Sequence, residues 1–253
     1  MVRSGASVVA EIVVKQFLKS IIARTPYRVV RSINLNRFEA IEQSLENMQK
    51  RGYRPKIVID GGANLGLFSV AVPKIFPEAT FHLIEPQPPC IPILRKLCKK
   101  NGFVLHEFAL ADQVGTIELL KTNTPHASAY VNPSNWGEEG ITVSASTLDA
   151  IFSGEITPSQ RGLLKLDING HELAALSGGT GILRSIEAVL LEVRFLPFGP
   201  PFHKLVAFFD DHGFELYDIA SLSARHRDNR LAAGDLIFAR RDSELMADLG
   251  GWW

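Results

Sequence analysis

Only two cysteines, Cys90 and Cys98, occur in the 253 residues. They stand on one predicted helix, about 12 Å apart along its axis at a rise of ~1.5 Å per residue, too far to bridge. A disulfide framework is therefore excluded, and two reduced thiols point to the cytoplasm. Net charge is also missing: 27 Lys and Arg balance 27 Asp and Glu. Without a strong field of one sign, neither nucleic acid nor an anionic membrane is an expected partner. No apolar run reaches the ~20 residues of a spanning helix. The nearest approach, Val8 to Ile22, is interrupted at every fourth residue by Glu11, Lys15 and Lys19. That polar stripe predicts an amphipathic helix packed on the core or on a partner subunit, so a homo-oligomer formed through the N-terminal helix is one expectation. No small-residue cleavage site of the secretory type follows it. Four of the seven histidines, His126, His171, His203 and His226, fall in predicted loops, without the close His-x-x-x-His or Cys-x-x-Cys spacing of a zinc site. No metal is expected.

What is present suits one large globular domain with an accessory segment: 46% hydrophobic and 21% charged residues. Residues 1–54 read as a helical extension, including a helix at 38–48 with apolar residues at helical spacing. Residues 55–253 read as the main domain. Strands are predicted near 56–60, 80–84, 103–108, 162–167, 187–193, 214–218 and 234–240. Helices are predicted near 66–76, 88–100, 171–177 and 201–212, with two short extended pieces at 115–121 and 141–146. The alternation predicts an α/β fold: a doubly wound, seven-stranded, mostly parallel sheet whose last strand is antiparallel. Ligands of such sheets bind outside the carboxyl ends of the parallel strands. The rule gathers Asp60–Gly66, Glu85, Ala109–Asp112, Asp167–Glu172, Glu192–His203 and a loop at 218–233 around one crevice.

The most informative stretch runs from Lys56 to Phe68, followed by Phe81-His82-Leu83-Ile84-Glu85-Pro86. It reads as a buried strand, a glycine turn opening a helix, and a second strand ending in an acid. A dinucleotide fingerprint needs glycines at relative positions one, three and six. From Gly61 the middle position is Ala63, and from Gly62 it is Asn64, so the glycine that would touch a pyrophosphate is missing. The spelling fits the acid-x-Gly-x-Gly-x-Gly turn of S-adenosylmethionine enzymes better, with Asn64 in place of the middle glycine.

Further pieces follow in order: Phe108-Ala109-Leu110-Ala111-Asp112 with Gly115, Ser146-Thr147-Leu148-Asp149, Leu163 to Glu172, and Leu190-Leu191-Glu192-Val193. Together they resemble the FkbM family of S-adenosylmethionine-dependent methyltransferases over roughly Phe38 to Arg241. The resemblance implies a Rossmann-like class I methyltransferase fold, S-adenosyl-L-methionine as cofactor with S-adenosyl-L-homocysteine as product, and methyl transfer to a hydroxyl of a small molecule, often a sugar or secondary metabolite. Some relatives are thought to act on peptide side-chain nitrogen. One departure stands out: Asn169 occupies a position that is usually Glu in this family. Asn keeps an acceptor and loses charge and basicity, which motivates the alternative of a catalytically silent binding subunit.

On this reading Asp60, Gly62, Asn64, Gly66, Glu85, Ala109, Leu110 and Asp112 bind the cofactor, with Glu85 on the ribose hydroxyls. Asp167, His171 and Glu192 are the candidates for proton removal and acceptor positioning; His171 titrates nearest neutrality. His126, Ser128, Trp136, Phe198, Arg225 and His226 offer hydroxyl, aromatic and positively charged contacts to the acceptor.

Overall fold

The computed structural model describes residues 37–120, 140–195 and 199–247, apart from the side chain of Ala224. The first helix, α1 (Arg37–Lys50), buries Ile41, Ser44, Leu45 and Met48, one stripe at helical spacing. Its opposite face is polar, and the Ser44 hydroxyl donates to Asp218 at 2.7 Å. Chain order then runs β1 (Ile57–Gly61), α2 (Leu67–Ala71), β2 (Thr80–Ile84), α3 (Ile91–Asn101), β3 (Val104–His106), β4 (Ala109–Leu110), β5 (Gly115–Leu120) and β6 (Gly140–Ser146). It continues through α4 (Leu148–Phe152), β7 (Gly162–Leu166), α5 (Glu172–Ser177), β8 (Ile186–Arg194), α6 (Phe202–Asp211), β9 (Phe214–Arg225) and β10 (Leu231–Arg240).

Seven strands form the main sheet in the order β3-β2-β1-β7-β8-β10-β9. Every neighbouring pair from β3 to β8 is parallel, and β10 is antiparallel to both β8 and β9. The doubly wound sheet with an antiparallel last strand is the predicted one. Its residues alternate between two cores. Val58, Leu163 and Leu190 join α1, α2 and α3 on one face, while Ile59, Leu164 and Leu191 join α4, α5 and α6 on the other. Burial on both faces explains why β1 and β7 read as near-continuous apolar runs. α1 buries Leu45 and Met48 in the same core as Val58 and Ile237.

Several boundaries differ from expectation. The helix predicted at 66–76 stops at Ala71 and tightens into a 3₁₀ turn, Val72–Lys74, because Pro73 has no N–H to continue the ladder. The strand predicted at 103–108 covers only Val104–His106 in the main sheet, and Ala109–Leu110, just past its predicted end, enters a second sheet ordered β4-β6-β5. That second sheet also takes the two short extended pieces, which pair antiparallel from Gly115 with Ala145 to Leu120 with Gly140. The loop predicted at 218–233 is instead a long hairpin, with β9 and β10 paired as far as Arg225 and Leu231. The apolar N-terminal stretch 8–22 and the residues His126, Ser128, Trp136 and Phe198 lie outside the described residues.

Candidate active site

The carboxyl ends of β1, β2 and β7 open into a cavity of about 340 Å³. Its floor is the turn after β1. Gly62 has φ +76°, and a Cβ there would meet the Asp167 carbonyl oxygen at 2.1 Å, so β1 and β7 approach as closely as only glycine permits. Asn64 follows at φ 50°, a left-handed conformation that Asn tolerates. Gly62 and Ala63 donate their backbone N–H groups to the Ile84 carbonyl, tying the turn to the end of β2.

Glu85, the residue after β2, is 2% exposed and lines the cavity. One carboxylate oxygen accepts the Asn64 N–H at 2.7 Å and the other accepts the Gln87 N–H at 3.0 Å. Burial pushes its carboxyl upward while those two hydrogen bonds hold it down; the net direction is up. A second wall is apolar: Phe108, Ala109 and Leu110 meet Ile117 and Leu119, which share one face of β5.

Behind the turn, Asp60 is fully buried and does not line the cavity. It accepts from Lys165 Nζ at 2.7 Å and from the Ser69 hydroxyl at 2.7 Å. Lys165 Nζ also donates to the Gly62 carbonyl at 3.1 Å. Burial alone would lower the Lys165 ammonium, but Asp60 and Asp167 outweigh it and hold it raised. Asp60 therefore acts from below, through Lys165, rather than as a ligand contact. Gly66 is likewise outside the lining; its positive φ and the approach of the Leu97 side chain make it a packing glycine.

The loop after β7 supplies the polar end. Glu172, 3% exposed, accepts the backbone N–H groups of Ile168 and Gly170, wrapping the chain around its carboxylate. Within this wrap Asn169 takes φ 56° and accepts a hydrogen bond from Arg194. A left-handed turn position accommodates Asn well, which gives the family departure a local cause. Asp167, Ile168, Asn169 and His171 all line the cavity. Burial lowers the His171 imidazole, with Asp112 pulling the other way, so the ring is neutral near pH 7. Asp112 itself is exposed and outside the lining.

Three carboxylates, Asp167, Glu192 and Asp235, converge on one guanidinium. Arg37, the first residue of α1, donates to Asp167 at 2.9 Å and to Asp235 at 2.6 and 2.7 Å, and its third nitrogen lies 3.2 Å from Glu192. Glu192 stands behind Asp167 rather than in the lining. Burial first, and then the neighbouring Asp167 charge, push the Glu192 carboxyl up to about 7. For Asp167, burial acts upward, yet Lys165 and Arg37 together hold it below its ordinary value.

Of the acceptor-side residues predicted from sequence, Arg225 and His226 are placed elsewhere. They sit at the tip of the β9–β10 hairpin, where Arg225 donates to the Asn229 carbonyl, and neither lines the cavity. The sequence reading missed Arg37, Lys165, Asp235, Phe108 and Ile117. Lys165 and Asp235 carried a signal, since a charge inside a strand buried on both faces must be paired. Arg37 carried none, because its partners lie 130 and 198 positions away.

Comparison with known proteins identifies the family. The model of the methyltransferase FkbM domain matches residues 60–216. A ribosomal RNA small subunit methyltransferase G from Campylobacter fetus is 30% identical over 118 residues, 47% of this chain and 51% of that protein. Methyltransferase sdnD from Sordaria araneosa is 28% identical over 153 residues, 48% of this chain and 59% of that protein. The chain thus spans about half the length of the curated relatives it matches. Among solved structures, an FkbM methyltransferase from Methylobacillus flagellatus superposes with TM-score 0.47 at 16% identity, covering 73% of this chain and 43% of that one. The magnesium protoporphyrin IX methyltransferase of Synechocystis with bound S-adenosylhomocysteine also gives 0.47, at 10% identity, covering 88% and 92%. With the family model spanning more than half its length, the chain belongs to the FkbM methyltransferase family.

Proposed function

We propose that the protein transfers the methyl group of S-adenosylmethionine to a hydroxyl of a small molecule, a sugar or natural-product scaffold, in the cytoplasm. The observation that carries the reading is the buried Glu85 carboxylate beside the turn that Gly62 keeps bare. The Glu85 carboxylate, anchored by the Asn64 and Gln87 N–H groups, is the kind of acceptor a ribose diol requires. The apolar wall of Phe108, Leu110, Ile117 and Leu119 suits a flat base. The buried thiols of Cys90 and Cys98, not joined in a disulfide, support the compartment.

When bound, S-adenosylmethionine supplies a methyl carbon already activated on a sulfonium; the chain's part is to position the acceptor and take its proton. Asp167, ionised and in the lining, places negative charge beside a cationic donor. His171, which lines the same cavity and whose imidazole burial holds low, orients the acceptor's X–H toward Asp167. Asn64 and the Gly62 backbone hold the methionine end. His126, Ser128, Trp136 and Phe198 are assigned to the acceptor on chemical grounds, and Arg225 and His226 are withdrawn from that role.

Calorimetry with S-adenosylmethionine, S-adenosylhomocysteine and NADH tests the donor assignment. Binding of both sulfur ligands is expected, and binding of NADH alone overturns it. A panel of hydroxylated acceptors, read by S-adenosylhomocysteine release, tests the acceptor. Release only with amide- or amine-bearing peptides would replace O-transfer by N-methylation.

A further inference from the structure

Asp167, Glu192 and Asp235 come from three adjacent strands, at the end of β7, near the end of β8 and within β10. Glu192 and Asp235 are direct register partners across the antiparallel β8–β10 pair. Like charges directly opposite destabilise a sheet, and Asp235 is 2% and Glu192 8% exposed at the side chain. One guanidinium, from a helix outside the sheet, reaches all three. Its planar fork is held by Asp235 through two nitrogens, which fixes where the remaining N–H groups point. Asp167 faces the cavity and Glu192 stands outside its lining, and each reaches the same Arg37 guanidinium, at 2.9 and 3.2 Å.

We propose that Arg37 is a positioning residue for methyl transfer, holding Asp167 and Glu192 as one carboxyl pair in which Asp167 receives the acceptor's proton and Glu192 shares it. The proposal rests on the methyl-transfer reading above. In the step, the acceptor X–H loses its proton to Asp167. The X–carbon bond forms as the carbon–sulfur bond breaks, with its electron pair leaving on sulfur. The pair passes from two negative charges to one, and the proton later escapes to solvent. A carboxylate flanked by Arg37 and Lys165 is by itself a weak base; a second carboxylate against it raises the proton affinity of the pair. The Glu192 carboxyl, raised to about 7, sets that affinity near neutrality. The charged groups facing Glu192 are Arg37 from α1, Asp167 after β7, Asp235 from β10 and Arg194 from its own strand. Of these, Arg37 is the cation common to all three acids.

The test is a titration of the full chain by difference infrared spectroscopy, following the protonated-carboxyl C=O stretch. A band that titrates near 7 and is lost in Glu192→Gln is expected; its absence overturns the pair. Arg37→Met should move the midpoint up by about 1–3 pH units, with Arg37→Lys nearer the wild type. An unmoved midpoint in folded Arg37→Met overturns the role of Arg37, whereas a merely structural role would lower stability and leave the midpoint in place. If Arg37→Met fails to fold, Asp167→Asn decides: the midpoint falls by about one pH unit or more, and no fall overturns the pairing. A shifted midpoint in a protein that binds no S-adenosylmethionine removes the methyl-transfer role alone.

Discussion

Lys165→Met is the sharpest test of how the glycine turn is supported. Methionine keeps the apolar stem, but the ammonium that meets Asp60 at 2.7 Å and lies 5.5 Å from the Phe68 ring centroid is lost. Asp60 is then left fully buried with only the Ser69 hydroxyl among its side-chain partners. Removing one member of a buried ion pair costs about 3–5 kcal/mol, because the surviving charge is neither solvated nor paired. For a domain of this size that is a fall in Tm of roughly 6–20 °C. Urea unfolding followed by circular dichroism measures it, and the slope should match the wild type. The double variant Asp60→Asn/Lys165→Met should be destabilised by less than the sum of the two singles, by roughly 0.5–3 kcal/mol. A loss below about 1 kcal/mol for Lys165→Met at unchanged slope would refute the reasoning. It would mean that water from the cavity, which Lys165 also lines, solvates Asp60 well enough to replace the pair.

Glu85→Gln should weaken S-adenosylmethionine binding by about 1.5–3 kcal/mol, the worth of hydrogen bonds to a charged group, and, because the new NH2 must face the buried Asn64 or Gln87 N–H, lower stability by about 1–3 kcal/mol; calorimetry reads the first and a melting curve the second. Gly62→Ala forces a left-handed alanine into the Asp167 carbonyl and should cost more than about 2 kcal/mol in chemical unfolding, so a wild-type denaturation midpoint would contradict the close approach of β1 and β7. His82 packs against His106 and Phe152, and burial, then the neighbouring His106, lower its imidazole to about 4. A group lowered on folding stabilises fully above its unfolded value and loses that contribution as pH falls. Wild-type stability should therefore decline between about pH 6.5 and 4, and His82→Phe should decline less over that window.

The legible and illegible parts of this molecule divide along the kind of contact involved. β1, the turn and the end of β2 lie close together in the chain, and their strand burial, positive-φ turn and terminal acid each leave a local residue pattern; Gly62, Asn64 and Glu85 were readable for that reason. The same holds for the loop after β7, where Glu172 bonds residues two and four positions before it. Arg37 was invisible because nothing local marks a guanidinium whose partners come from three later strands. The part of β9 beyond the predicted 214–218 was hidden differently. The β9–β10 pair shifts register between Asp235 and Leu236 and again between Ile237 and Phe238, and each irregularity breaks the period-two alternation by which strands are recognised. The outer face of an edge strand also has no core to satisfy, so Leu216, Ile219 and Leu222 remain exposed without an apolar pattern to announce them. Arg225 and His226 were misplaced with that hairpin, since extending both strands carries the intervening turn away from the cavity.

The ladder between β5 and β6 has a consequence for how this chain could diverge. Its last rung joins Leu120 to Gly140. The nineteen residues between, 121–139, are therefore joined to the fold at two points already clamped together. Closing such a segment depends on length only logarithmically, so doubling it would cost roughly 0.6 kcal/mol. Inward of the same rungs, Ile117 and Leu119 face the cavity. Evolution can thus rewrite this interval in length and composition while the wall two to four residues away keeps its place. Chimeras that exchange it between relatives should fold around an unaltered donor half.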